Sequence, residues 1–201
     1  MGSIDLYWKK FLEKGDETSF AAIYNSHVDD LLSYGIGLGF QKETCKDAIQ
    51  DTFYKLYISK NNLTHIENIT AYIFKSFKHQ LIDLVKKNPE EESIESVTYS
   101  FTTHVTILDD IIENETSELI KEKINSLLNN LTANQREAVY LKYMVGLQHR
   151  EIADILNVHE DSARKLLYRA MEKLRKKASG DNNQPNGLQL LLLLSLFRQL
   201  L

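Results

Sequence analysis

The stretch from Leu131 to Lys177 constrains the fold most, because its capping and turn residues and the spacing of its apolar residues predict three helices in close succession. Thr132 suits the N-cap of the first helix, and Gln135, three residues on, completes a capping box. Gly146 is placed to end that helix, since glycine accepts a left-handed backbone. Asn157 suits a tight turn between the next two helices, because asparagine tolerates positive φ. We predict the second helix over 148–156 and the third over 160–177, with Val158 in the core.

The order of these helices predicts a helix-turn-helix, in which the second helix of the motif enters the DNA major groove. Ala153 is small enough to let the two helices cross closely. The outward face of the third helix carries residues that can contact bases or phosphates: Arg164, Lys165, Tyr168 and Arg169. Residues 132–177 hold ten Lys or Arg against six Asp or Glu, whereas the chain has a net charge of −4. The positive charge is therefore local. The alternative is a solvated helical hairpin without a DNA partner.

The remaining chain also predicts an all-α protein, since 201 residues contain two prolines and eight glycines. Apolar residues at helical spacing predict helices over 5–14, 19–35, 42–57 and 69–87. Asp16 or Thr18 is expected to cap the second of these, and Gly35 to Gly39 to form a helix-ending turn. Residues 59–68 are expected to form a polar loop.

The predicted helix from Ile69 to Lys87 combines aromatic and cationic side chains. Bases stack on aromatic rings while lysines neutralise phosphates, so this combination suits single-stranded nucleic acid. An aromatic stripe at helical spacing equally suits a protein core. The residues concerned are Tyr72, Phe74, Lys75, Phe77, Lys78, Lys86 and Lys87.

A change of composition divides the chain into two domains. Residues 88–123 contain ten Asp or Glu and two Lys, and the first part lacks a helical period. We predict a helical domain over 1–87, an acidic linker over 88–106, and the helix-turn-helix domain over 107–178.

The C-terminal segment, 179–201, is predicted to be a spacer followed by a leucine-rich helix. Nine of the last fourteen residues are Leu, and the run is too short to span a bilayer, which takes about 20 apolar residues. Three interpretations stay open: docking on the protein's own domains, which would restrain its activity; self-association; and an accidental extension of the reading frame or expressed sequence.

The single cysteine, Cys45, excludes a disulfide framework within the chain and fits a reducing cytoplasm. The N-terminal residues are charged and contain no apolar run of signal-peptide length. No catalytic motif, phosphate-binding glycine loop or metal-ligand spacing is present. We therefore expect a cytoplasmic protein that is not an enzyme and has no cofactor, metal or small-molecule substrate.

Three segments together resemble the extracytoplasmic-function (group IV) sigma factors of the sigma-70 family. They are KDAIQDTFYKLY (46–57), ITAYIFKSFKHQLIDLVKK (69–87) and REIADILNVHEDSARKLLYRAMEKLRKK (150–177). The resemblance implies two small helical domains, sigma regions 2 and 4, joined by the acidic linker. It also implies a subunit that directs bacterial RNA polymerase to promoter DNA.

The resemblance assigns roles to matching residues. Asp47, Gln50, Asp51 and Phe53 match the motif that binds core polymerase, where the polar side chains would meet the β′ clamp helices; the β flap is a second implied contact. The loop 59–68 would hold a flipped base of the −10 element. Tyr72, Phe74, Lys75 and Lys78 would lie at the melted strand, and Lys86 and Lys87 at its backbone. Arg164, Lys165, Tyr168 and Arg169 match the positions that contact the −35 element.

The sequence departs from the family at Tyr72, where Trp is usual, at Lys78-His79, where Arg-Asn is usual, and at the cap position His159, where Ser is usual. The first two departures, with Leu166 in place of a common Arg and Ala163 in place of a common Val, leave the polymerase role intact and the promoter sequence open. The family also implies an anti-sigma partner, which is often membrane-bound. Two other classes of function stay open: a helix-turn-helix transcription regulator with an N-terminal sensor or interaction domain, and a protein that only binds other proteins.

Overall fold

The computed structural model describes residues 3–87, 101 and 126–179, apart from the side chains at 85, 87, 178 and 179. The chain divides into two compact units, unit 1 (Met1–Thr98) and unit 2 (Tyr99–Leu201). The described residues contain helices and no strand, as the all-α prediction requires. The predicted linker, 88–106, and the leucine-rich segment lie outside the described residues, except for Phe101.

Unit 1 contains five helices within the described residues. They are α1 (Ser3–Lys14), α2 (Glu17–Asn25), α3 (Val28–Gly37), α4 (Lys42–Ile58) and α5 (Ile69–Lys87), with a 3-10 turn at Lys60–Asn62. Helix α4 packs against both α3 and α5, and α1 against α2. Tyr34 of α3 is fully buried, with its ring centroid 5.4 Å from that of Phe74 and 6.4 Å from that of Phe77. This aromatic core fixes α5 against α3.

The prediction of a single helix over 19–35 is wrong, because two helices occupy this stretch and the helical backbone is interrupted near His27. The His27 ring is buried, with Nδ1 2.7 Å from the Ile23 carbonyl oxygen and Nε2 2.9 Å from the Thr70 hydroxyl. Apolar residues keep their helical spacing across the break, so periodicity alone could not locate it. Asp16 caps α2, as predicted, by accepting from the Ser19 amide at 3.0 Å.

The glycine-rich turn was predicted too early. Helix α3 continues through Gly35 and Gly37, and the left-handed residue is Gly39, with φ of 96°. Gly35 lies where α3 crosses its neighbours: a β-carbon there would lie 2.6 Å from Cys45 Sγ and 3.0 Å from Phe77 Cζ. Gly35 therefore serves close packing rather than a turn.

Unit 2 contains α6 (Ala133–Tyr143), α7 (His149–Leu156) and α8 (Glu160–Ser179). The capping box is confirmed: Thr132 Oγ1 accepts from the Gln135 amide at 3.3 Å, and Gln135 Oε1 accepts from the Thr132 amide at 3.1 Å. Asn157 takes the predicted left-handed conformation, with φ of 53°. Val158 does not fill the core, since its side chain is 43% exposed. The turn bonds the Val158 amide to the Ala153 carbonyl, and the side chain is left outside.

Phe101 is attached to unit 2. Its ring is buried, with a centroid 5.7 Å from that of Tyr140, and its carbonyl accepts from Arg136 Nε at 2.5 Å. Arg136 also donates through Nη1 to the Leu131 carbonyl at 2.9 Å. One residue from within the predicted linker is thus held on α6.

Candidate nucleic-acid interface

Helix α8 exposes a cationic face opposite its buried stripe. Arg164, Lys165, Tyr168 and Arg169 are all exposed, and Tyr168 is 69% exposed. The buried positions of the helix are Ala163, Leu167, Ala170, Met171 and Leu174. All four residues predicted to contact the −35 element thus share one solvent-accessible surface.

Ion pairs on α8 modify this face. Arg164 Nη2 lies 2.5 Å from Glu160 Oε1, one turn earlier, and Lys176 Nζ lies 2.8 Å from Glu172 Oε1. A hydrogen bond from Lys176 holds the pKa of Glu172 below its usual range. Lys165 and Arg169 have no ion-pair partner within the part of the chain that the structure describes. They are the cations most available to phosphate or base oxygens.

The rest of unit 2 fixes the orientation of α8. Ala153 of α7 and Ala163 of α8 are both buried, so small side chains occur in the two helices of the motif, as predicted for a close crossing. Lys173 Nζ donates to Gln135 Oε1 at 3.1 Å, which ties α8 to the capped start of α6. These contacts make α8 a rigid support for its exposed side chains.

Helix α5 exposes a second mixed aromatic and cationic face. Tyr72 and Lys75 are partly exposed and Lys86 is exposed; the three share one side of the helix with His79, because successive members are three, four and seven residues apart. Lys78 borders this side and is also partly exposed. Lys86 Nζ is 4.0 Å from Asp83 Oδ1. The structure does not describe the side chain of Lys87.

Phe74 does not belong to this face. Its ring is 0% exposed and packs on Tyr34, so it has no free surface on which a base could stack. The prediction that Phe74 lies at the melted strand is therefore wrong for this structure, and the alternative of an aromatic core residue holds at this position. Phe77 is also fully buried.

The loop 59–68 leads into the start of α5 and is held in place at its middle and at its C-terminal end. Leu63 is buried beneath it, and the Asn68 side chain accepts from the Ala71 amide at 3.1 Å. Lys60 Nζ lies 5.5 Å from the centre of the Phe11 ring. The loop thus presents polar groups on a fixed base beside the α5 face. The exposed polar residues of the loop are Asn61, Asn62, Thr64, His65 and Glu67.

Helix α4 carries the residues predicted to bind polymerase. Asp47, Gln50 and Asp51 are exposed on one side of the helix. Phe53 is buried, with its ring centroid 4.8 Å from that of Tyr24 and 6.1 Å from that of Phe20. Phe53 therefore lies almost fully buried beneath this surface.

Sequence reasoning missed an apolar groove beside these carboxylates. Phe20, Tyr24, Val28 and Leu32 line one side, and Ile49, Phe53, Tyr54 and Tyr57 of α4 the other. Tyr54 is 63% exposed, three residues after Asp51. The closely spaced aromatic residues in the segment FYKLY were the available signal, but helical spacing alone does not show which ring faces outward.

Sequence reasoning also missed the hydrogen bonds that join α4 to α5. Gln80 Nε2 donates to Asp51 Oδ2 at 2.7 Å, and Lys55 Nζ donates to Gln80 Oε1 at 2.5 Å. No sequence pattern pairs residues from separate helices, so this link could not be predicted.

Neither a metal centre nor a membrane span is found among the described residues. They contain no group of three or more His, Cys, Asp or Glu able to hold an ion. None of the helices described has the length and apolar character needed to cross a bilayer. The fold and its surfaces define an all-α protein whose second unit is a helix-turn-helix module.

Comparisons with known proteins agree with this class. A family model described as Sigma-70, region 4 matches residues 121–174. Over 154 residues the chain is 25% identical to the ECF RNA polymerase sigma factor SigM of Bacillus subtilis (strain 168), covering 76% of this chain and 91% of SigM. It is 22% identical to the ECF sigma factor SigW of the same bacterium over 178 residues, which cover 84% of this chain and 93% of SigW.

The fold is also found in a solved sigma factor. The sigma factor RpoE, crystallised with the anti-sigma factor NepR from Bartonella quintana, matches with a TM-score of 0.55 and 20% identity, over 81% of this chain and 98% of that one. The sequence matches support an extracytoplasmic-function sigma factor of the sigma-70 family. The relatives favour a transcription initiation factor, which is not itself an enzyme, over the helix-turn-helix regulator with a sensor or interaction domain.

Proposed function

We propose that this sigma factor binds core RNA polymerase through the exposed side of α4 and directs it to promoters with two separate DNA-contacting faces. The supporting observation is that unit 1 and unit 2 each expose their own cationic helix face, on α5 and on α8. Two such faces on separate units suit a promoter with two separated elements. A regulator that binds one operator site needs only the second.

In unit 2, the α8 face contacts the duplex −35 element. Arg164, Lys165 and Arg169 supply cations, and Tyr168 supplies a ring and a hydroxyl at the base edges. Phosphate contacts fix the position of the helix, whereas base-edge contacts set the sequence preference. The surface also carries acidic residues, so the cations paired with them bind DNA only if they leave or share these carboxylates.

In unit 1, the α5 face and the loop 59–68 contact the melted −10 strand. Tyr72 supplies a stacking surface, and Lys75, Lys78 and Lys86 neutralise phosphates. Lys87 is retained in this group on the resemblance alone. The exposed polar residues of the loop are available to a flipped base, because the buried Leu63 side chain and the Asn68 cap hold the loop backbone in place.

On α4, Asp47, Gln50 and Asp51 contact the β′ clamp helices of polymerase, while the β flap is the expected contact of unit 2. We place the protein in the cytoplasm, where the polymerase acts. An anti-sigma factor is the expected inhibitor, by similarity to the RpoE complex with NepR. Affinity purification of the tagged full chain, with and without added core polymerase as competitor, tests for such a partner.

Run-off transcription with purified core polymerase on a promoter library tests the proposed function. Transcripts from a defined subset of promoters are expected only when the protein is added, and their shared −10 and −35 sequences give its specificity. No transcript from the full chain or from a version ending at Ala178, combined with tight duplex binding without polymerase, would support the regulator instead.

A further inference from the structure

A buried glutamine joins α5 to the outer surface of α4. Gln80 is only 7% exposed, although its side chain is polar. Its Nε2 donates to Asp51 Oδ2 at 2.7 Å, and its Oε1 accepts from Lys55 Nζ at 2.5 Å. A single amide thus connects an anion and a cation that lie one turn apart on α4.

The spacing of Asp51 and Lys55 would otherwise favour a direct pair. Opposite charges four residues apart on a helix lie side by side and attract each other. In the described part of the chain, each makes its polar contact with Gln80 instead, and neither has an ion-pair partner there. Both residues remain exposed, so the two charges stay available to a partner.

A primary amide has the chemistry that this position needs. Its NH₂ group donates to a carboxylate while its carbonyl accepts from an ammonium group. An ionised glutamate could accept from Lys55 but would repel Asp51, and an apolar residue could bind neither. A buried amide is costly unless its hydrogen bonds are made, so both bonds hold the side chain in one orientation.

We propose that Gln80 is a positioning residue for polymerase binding. It holds the Asp51 carboxylate and the Lys55 ammonium group at fixed positions on α4, where they meet opposite charges on the polymerase: a guanidinium or ammonium group at Asp51, and a carboxylate at Lys55. This inference rests on the proposed function, which places Asp51 in the polymerase contact. Fixing the charges before binding removes part of the ordering cost of association.

A double-mutant cycle on the full chain tests the proposal, with affinity for core RNA polymerase measured by fluorescence titration. The changes are Gln80→Met, which keeps the length of the side chain, and Asp51→Ala combined with Lys55→Ala. Gln80→Met alone is expected to weaken binding about three- to tenfold, which is below the loss usual for truncating a buried interface charge. In the Asp51→Ala/Lys55→Ala background it is expected to cause no further loss, because no charges remain to be positioned.

The thermal midpoint of each variant shows whether a loss of affinity comes with a loss of folding stability. A loss of affinity from Gln80→Met that is equally large in both backgrounds would show an effect on stability and overturn the proposal. Wild-type affinity in the Gln80→Met variant would overturn it as well.

If Gln80→Met does not fold, Gln80→Glu replaces it. The carboxylate introduced by this change would keep the Lys55 bond but repel Asp51, so affinity should fall. Combining Gln80→Glu with Asp51→Asn should give a protein that binds no worse than Asp51→Asn alone, and a further loss there would overturn the proposal.

These results also separate the inference from the proposed function. No binding of wild-type protein to core polymerase would overturn the proposed function, and the inference with it. Wild-type binding that the Asp51→Ala/Lys55→Ala change leaves intact would overturn the Asp51 contact and this inference, but not the sigma function. Loss of binding on that change, with no effect of Gln80→Met, would overturn this inference alone.

Discussion

Replacing Gly35 by alanine should destabilise unit 1, although alanine is the better helix former. The added methyl carbon would lie 2.6 Å from Cys45 Sγ and 3.0 Å from Phe77 Cζ. Both neighbours are fully buried, so neither can move into solvent. The substitution therefore forces α3 away from α4 and α5, the two helices that carry the proposed polymerase and −10 surfaces.

The magnitude follows from two opposing terms. Overpacking a well-packed core typically costs about 1–3 kcal/mol. Replacing glycine by alanine within a helix returns about 0.5–1 kcal/mol. From the middle of each range a net loss of about 1 kcal/mol is expected, which lowers the melting temperature of a domain of this size by roughly 4–8 °C.

Thermal unfolding followed by circular dichroism on the full chain measures this effect, with Cys45→Ala as the matched control. Removing Cys45 Sγ opens the space that the new methyl group needs. Gly35→Ala should therefore lower the melting temperature less in the Cys45→Ala background than in the wild type. An unchanged or higher melting temperature for Gly35→Ala, or the same decrease in both backgrounds, would refute the packing argument.

Three further predictions concern stability and regulation. Burial lowers the pKa of His27 below its ordinary value of 6.5. The contribution of His27 to stability is therefore complete above pH 6.5 and is lost as the pH falls toward the lower folded-state pKa. Urea unfolding from about pH 7.5 to 5 should show this loss, and His27→Gln should make the free energy of unfolding depend less on pH. Phe101→Ala should lower the free energy of unfolding of unit 2 by about 3–5 kcal/mol, because it removes a buried ring that packs on Tyr140; a wild-type denaturation midpoint for that unit would argue against the anchor. If residues 180–201 dock on the protein and restrain it, deleting them should raise run-off transcription, whereas unchanged activity or lost solubility would count against this hypothesis.

The helix-turn-helix could be predicted from the sequence because its signals are local. Thr132 and Gln135 cap a helix three residues apart, and Asn157 supplies a left-handed turn without help from distant residues. The exposed face of α8 follows from helical spacing once the buried stripe is assigned. The four predicted −35 residues therefore lie together on one surface.

Several of the errors arise where distant residues decide the structure. Phe74 and Tyr72 are both aromatic residues of α5, and only the position of α3 determines that Phe74 is buried. The helical backbone is interrupted at His27, whose ring contacts Thr70 from a distant part of the chain. Gln80 is notable only because it hydrogen-bonds two charged residues on another helix. Such contacts leave no periodic signal in one sequence.

The most direct test of the central claim is to compare the promoter preferences of two variants in run-off transcription with core polymerase. Arg169→Ala should alter or relax the preferred −35 sequence and leave the −10 preference unchanged. Tyr72→Ala should weaken activity through the −10 element and leave the −35 preference unchanged. If both variants shift the same element, or if neither changes any preference, the assignment of one promoter element to each unit is contradicted.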